Sequence, residues 1–174
     1  MKKIYIVLTY TGTILSKLVK MYTRKEFSHV SIALDEELNE MYSFGRLNAY
    51  IPLPAGFVHE SKDRGTFKRF KKTRTKIYSL QVKDEQYDKV VEVINDIKEH
   101  KKSYSFNLLG LMFVAFHLKL RREKSLYCAE FVKYVLDKSN IDNSLPDMVK
   151  PEDFRYIEGL DVVYSGILRE YNTF

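Results

Sequence analysis

Phe27-Ser28-His29-Val30-Ser31-Ile32-Ala33-Leu34, then the polar run Asp35 to Asn39, then Glu40-Met41-Tyr42-Ser43-Phe44, reads as strand, turn and strand. In the first arm, alternation sends His29, Ser31 and Ala33 to one face and Val30, Ile32 and Leu34 to the other. Gly45 and Arg46 close this hairpin, and Pro52, Pro54 and Gly56 mark an irregular loop beyond it. Upstream, Ile4 to Leu8 is apolar at every position and rich in β-branched or aromatic residues, the pattern of a buried strand. After Gly12, Ile14, Leu15, Leu18, Val19 and Tyr22 keep helical spacing and predict a helix over Thr13 to Tyr22. Downstream, Phe67 to Phe70 and Lys76 to Val82 read as strands. Asp84 can cap a helix with Tyr87, Val90, Val91, Ile94 and Ile97 on its apolar face. Tyr104 to Leu120 mixes loop and apolar helix, a helix is expected from Ser125 to Lys138, and Val162 to Leu168 reads as a last strand. This order of elements is α+β, with an antiparallel sheet, or a partly open barrel, packed against helices.

The 174 residues fall within the range of one domain, and no repeat or linker divides 1–174. Hydrophobic residues at 45% and charged residues at 30% are a globular composition, able to bury a core without disulfides. The single cysteine excludes an intrachain disulfide and points to a reducing, cytoplasmic setting. Lys2 and Lys3 before Ile4 to Leu8 imitate a signal peptide, but no small-residue cleavage site follows. No run approaches the roughly 18 to 20 apolar residues of a membrane span. Lys62, Arg64, Lys68, Arg69, Lys71, Lys72, Arg74 and Lys76 concentrate much of the net charge of +6 in one segment. Without a nucleic-acid motif, that segment reads as a solvated loop and strand face rather than a specific nucleic-acid surface; weak contact with an anionic membrane stays open.

Cys128 is placed near the start of the last clear helix, where unpaired N–H groups and the helix dipole favour a thiolate and can hold an oxyanion. Its stripe with Phe131, Val132 and Val135 equally suits a core cysteine. His29 stands at a strand end, from which an imidazole can exchange a proton with a thiol. His59, His100 and His117 compete for that part on position alone. Glu40, across the turn, is the candidate to accept a hydrogen bond from the second ring nitrogen, provided the register holds. No paired metal-ligand spacing and no phosphate or dinucleotide loop occurs, so neither a metal nor a cofactor is expected.

The set Phe27 to Leu34, Met41-Tyr42-Ser43-Phe44-Gly45-Arg46 and Leu126-Tyr127-Cys128-Ala129-Glu130-Phe131-Val132 resembles the permuted branch of the NlpC/P60 superfamily of papain-like cysteine hydrolases. The nearest group is YiiX/YebB-like, related in fold to lecithin retinol acyltransferase. Ordinary members carry the cysteine helix before the histidine strand; here His29 precedes Cys128, the permuted order. The resemblance implies a circularly permuted papain-like fold, Cys128 as nucleophile, His29 as base and Glu40 as third member. It also makes Tyr10, Ser43, Arg46 and Tyr127 candidate substrate contacts, with Arg46 suited to a carboxylate. The expected activity is cleavage of an amide, as in peptides of the cell wall. The alternatives are a lipid-acting acyltransferase or esterase using the same residues, for which the apolar run Leu108 to Phe116 is compatible, and a binding module without turnover. A small molecule, a peptide or a lipid-like compound is the expected substrate. The sequence says nothing of oligomeric state.

Overall fold

A computed structural model of the chain describes residues 1–13, 16–17, 20–21, 24–51, 53–106 and 125–172. Its sheet is built around β1 (Lys2–Tyr10), in which Ile4 to Leu8 are buried at every position. Ile4, Ile6 and Leu8 join one apolar cluster, and Tyr5 and Val7 join a second on the opposite face. A strand apolar on both faces must be covered on both, and that requirement makes β1 central. β2 (His29–Ala33) and β5 (Arg74–Val82) flank it. β3 (Met41–Arg46) and β4 (Ala55–Glu60) extend the β2 side, and β8 (Leu160–Ile167) closes the other. The order is β4-β3-β2-β1-β5-β8, and every neighbouring pair is antiparallel. Short β6 (Ser105–Phe106) and β7 (Ser125–Leu126) pair in parallel apart from this sheet. The architecture is α+β.

Besides three short 3-10 turns, three α-helices with described bounds accompany the sheet. α1 (Gly65–Arg69) contributes Phe67 to the smaller cluster, with Leu168 and Tyr171 from the tail. α2 (Asp84–Glu99) buries Val90, Val93, Ile94 and Ile97, spaced to lie on one face. Asp84 and Glu85 in its first turn complement the helix dipole. α3 (Cys128–Lys138) buries Ala129, Phe131, Val132, Val135 and Leu136, and packs with α2 in the larger cluster against β1, β2 and β3. The turn between β2 and β3 is held by Asp35, whose carboxylate accepts the Asn39 and Glu40 N–H groups at 2.9 and 2.7 Å.

Several elements differ from the sequence reading. Phe67 to Phe70 belongs to a helical turn rather than a strand: Gly65 (φ +55°) starts it, and only Phe67 is driven inward. Where Pro54 and Gly56 suggest an irregular loop, Pro54 immediately precedes an edge strand, β4, which contains Gly56 and has a single ladder to satisfy; Pro52 lies outside the described residues. Ser125 lies in β7 and the helix starts at Cys128, with Tyr127 as its N-cap. The last strand runs Leu160–Ile167. Of the helix expected over Thr13 to Tyr22, Ser16, Lys17, Lys20 and Met21 are helical. The apolar run Leu108 to Phe116 and His117 lie outside the described residues. No helix among the described residues is long and apolar enough to cross a membrane.

Candidate active site

His29 is the first residue of β2, and the chain entering it is pinned from two sides. The Phe27 N–H donates to the buried Glu152 carboxylate at 3.1 Å, and the Ser28 N–H donates to Thr9 O at 3.1 Å. His29 pairs with Thr9 of β1. On its other side is Gly45, where an added Cβ would stand 3.6 Å from His29 Cε1 and 3.6 Å from Ser43 Oγ. Those are ordinary van der Waals distances, so the ring packs against the Gly45 backbone.

The ring's carboxylate partner is Glu60, the last residue of β4. Glu60 Oε1 lies 3.0 Å from His29 Nε2, and Oε2 accepts the Ser31 hydroxyl. Ser43 Oγ lies 3.1 Å from the same Nε2. Ser31 and Ser43 are fully buried, and the His29 and Glu60 side chains are only 20% and 11% exposed. Water screens such a pair far less than one at the surface. Burial, the largest single influence, works to lower His29. The charges and hydrogen bonding of Glu60 and Cys128 together outweigh it, and the imidazole is carried up to about 10. Burial likewise works to raise Glu60, but the His29 charge and hydrogen bonds from His29, Ser31 and Ser43 hold it below the ordinary 4.5. Each partner therefore stabilises the charged form of the other.

Cys128, 5% exposed, is the first residue of α3 and is among the groups whose influence raises the His29 ring. Glu60 and Ser43 both face Nε2, which leaves Nδ1 as the ring nitrogen they do not use. The helix start is fixed by packing and capping. Tyr127 N–H donates to Glu130 Oε2 at 3.2 Å, and Tyr127 Oη donates to Val149 O at 2.8 Å. One turn on, the Phe131 ring meets Phe44 and Phe57 at 5.4 and 5.8 Å between centroids. The first N–H groups of any helix lack acceptors within it. At α3 they adjoin the sulfur.

Glu40, expected as the third member, is not beside His29. Leu34 N–H donates to Glu40 O at 3.0 Å, which sets Glu40 opposite the end of the first arm, at the turn; His29 lies at the far end of the same arm. A residue that follows a hairpin turn pairs with the residue that precedes it, so no slip of register brings Glu40 to His29. The exposed Glu40 instead accepts the Tyr42 hydroxyl. Glu60 does not emerge from the sequence because Pro52, Pro54 and Gly56 give that stretch the composition of a loop. Its available signal was a strand-length run, Ala55 to Glu60, ending on a carboxylate near the hairpin.

The other candidates divide. Ser43 belongs to the His29 network, buried against the ring. Tyr127 is 1% exposed with its hydroxyl spent on Val149, so it is part of the core and not a substrate contact. Tyr10, at the end of β1, is partly buried against the larger cluster with the Lys20 ammonium 4.7 Å above its ring. Arg46, half-buried, donates to Thr13 Oγ1 at 3.0 Å. His59 stacks on Tyr42, and His100 pairs with Asp96 on α2. A cavity of about 380 Å³ lined by Leu80, Val82, Ile141 and Gly159 holds none of these side chains. It lies toward the start of β1, where Leu80 pairs with Ile4, whereas His29 pairs near the end of that strand. In the basic segment, Lys62 binds Tyr171 O, Arg74 pairs with Glu26, and Lys68, Lys71 and Lys72 are exposed.

Neither a scan against protein-family models nor a search of curated proteins finds a match for this chain.

Proposed function

We propose that the chain is a cysteine hydrolase of the permuted papain-like NlpC/P60 type, cleaving an amide bond through a thioester on Cys128. The observation that carries this reading is the buried His29 ring bound to the Glu60 carboxylate, with Cys128 at the start of α3 among the groups that raise the imidazole. The order His29, Glu60, Cys128 is also a cyclic rotation of the cysteine, histidine, polar-residue order implied by the resemblance, with Glu60 in place of Glu40.

In this mechanism the thiol proton already resides on His29, and the thiolate attacks the carbonyl carbon. The S–C bond forms as the carbonyl electrons move to oxygen, where N–H groups at the start of α3 stabilise the charge. As the carbonyl reforms, the C–N bond breaks and His29 Nδ1 gives its proton to the departing amine. Water then adds to the thioester and releases the acid and the thiol. Glu60 stabilises the imidazolium and fixes the ring so that Nδ1 faces the sulfur. Ser31 and Ser43 hold Glu60 and Nε2 in that alignment.

Alkylation by iodoacetamide near neutral pH tests this without a known substrate. Cys128 should be labelled rapidly, as read by intact mass and peptide mapping, and His29→Ala should slow labelling by about 100-fold or more. Slow labelling typical of an ordinary thiol, unchanged in His29→Ala, would contradict the assignment.

A further inference from the structure

Two arginines near the end of β3 have no acid to answer them among the described residues. Arg46 ends β3, one residue after the glycine that adjoins the His29 ring. Its Nη2 donates to Thr13 Oγ1, in the loop after β1, and its guanidinium lies 5.8 Å from the Phe70 ring centroid. Arg69 lies over the same ring at 5.3 Å and over Tyr50 at 4.3 Å, and donates to Ala49 O at 2.9 Å. Two guanidinium groups thus lie against one aromatic ring, near enough for Arg69 to act on Arg46 by charge. Neither forms an ion pair with an Asp or Glu among the described residues. Burial, with Arg69 adding to it, lowers Arg46 from its ordinary value. Holding a half-buried cation beside a like charge is unfavourable unless an anion joins them. Among the described residues each fork spends one donor, on Thr13 and on Ala49, and a guanidinium fork matches the paired oxygens of a carboxylate or phosphate. Exposed Arg64, Lys68, Lys71 and Lys72 strengthen the local positive field.

We propose that Arg46 and Arg69 form an anion subsite of the candidate active site, and that the substrate carries a carboxylate or phosphate group close to the carbonyl attacked by Cys128. This rests on the cysteine-hydrolase reading. The anion is either free in a small molecule or the headgroup of a lipid; the loop after Arg46 leaves Leu47, Tyr50, Ile51 and Leu53 exposed beside it.

The probe is iodoacetate against iodoacetamide, which deliver nearly the same alkyl group to sulfur with and without a carboxylate. Taken as a rate ratio relative to glutathione, Cys128 should favour iodoacetate by about tenfold, and Arg46→Gln or Arg69→Gln should remove most of that preference, read as the ratio of the two rates within each variant. Lys71→Gln removes the same charge from the same segment and should leave the preference largely intact. Acetate, inorganic phosphate and phosphatidate vesicles, at equal anion concentration, should each slow iodoacetate selectively, and the strongest competitor identifies the source. A preference absent in wild type, or lowered equally by Lys71→Gln, overturns the subsite. Thermal unfolding with and without phosphate reads the subsite independently of the thiol: phosphate should raise the midpoint of wild type more than that of Arg46→Gln. If Cys128 reacts with neither reagent but this difference is present, the hydrolase reading falls and the anion site stands. If the difference is absent, the anion site falls.

Discussion

A carboxylate that accepts from an imidazole through one oxygen and from a serine hydroxyl through the other has little freedom to turn. Glu60 is in that position, and the buried Ser31 and Ser43 make the same network directional. Replacing Glu60 by Gln keeps the shape and removes the charge that holds the imidazolium. A hydrogen bond to a charged group is worth roughly 1.5–3 kcal/mol, so Glu60→Gln should lower the rate of Cys128 alkylation by about 10- to 150-fold. Glu40→Gln changes an exposed carboxylate at the far end of the hairpin and should leave the rate within about twofold. Stopped-flow alkylation of both variants checks the pair. Equal effects, or a larger one from Glu40→Gln, would contradict the placement of Glu60 in the site.

At the scale of elements, the chain declares its regular parts openly. The all-apolar run of β1, the alternating arms of β2 and β3, and the helical spacing in α2 and α3 follow from burial of one face or two, which leaves a period in the sequence. The exceptions are elements whose stabilisation is not periodic. β4 is an edge strand entered from Pro54 and containing Gly56, so local composition describes a loop while the ladder to β3 makes it a strand. α1 is five residues long and is recruited by one side chain, Phe67. The start of α3 was misplaced by three residues because Ser125 is a better cap by type than Tyr127. What holds Tyr127 there is its hydroxyl bond to Val149, 22 residues away. The candidate site divides in the same way. His29 and Cys128 were legible as candidates from their positions in elements, and Glu60 was not. Its carboxylate reaches His29 from β4, two strands away in the sheet, a relation that exists only once the sheet is assembled.

For the whole molecule, the sheet brings three distant points of the chain, residues 29, 60 and 128, to one buried place, and folding is therefore linked to their protonation. Glu60 is lowered on folding, so its contribution is present above about 4.5 and is lost as the pH falls through its folded value. His29 is raised from 6.5 to about 10, so its contribution is complete below 6.5 and is lost as the pH rises through 10. The stability gap between wild type and Glu60→Gln should accordingly be widest between about pH 4.5 and 6.5 and narrow steadily toward pH 10. Urea unfolding across that range reads it. A gap that widens above pH 7 would have the wrong sign.

The most direct measurement is the titration of the His29 ring by nitrogen-15 NMR in the folded protein, in wild type, Glu60→Gln and Cys128→Ala. With the ring held between both partners, its midpoint should lie near 10 in wild type and fall in each variant, further in Glu60→Gln because Glu60 is the larger influence. A wild-type midpoint near 6.5, unmoved by either substitution, would mean that His29 is bound to neither Glu60 nor Cys128, and the proposed site would not exist.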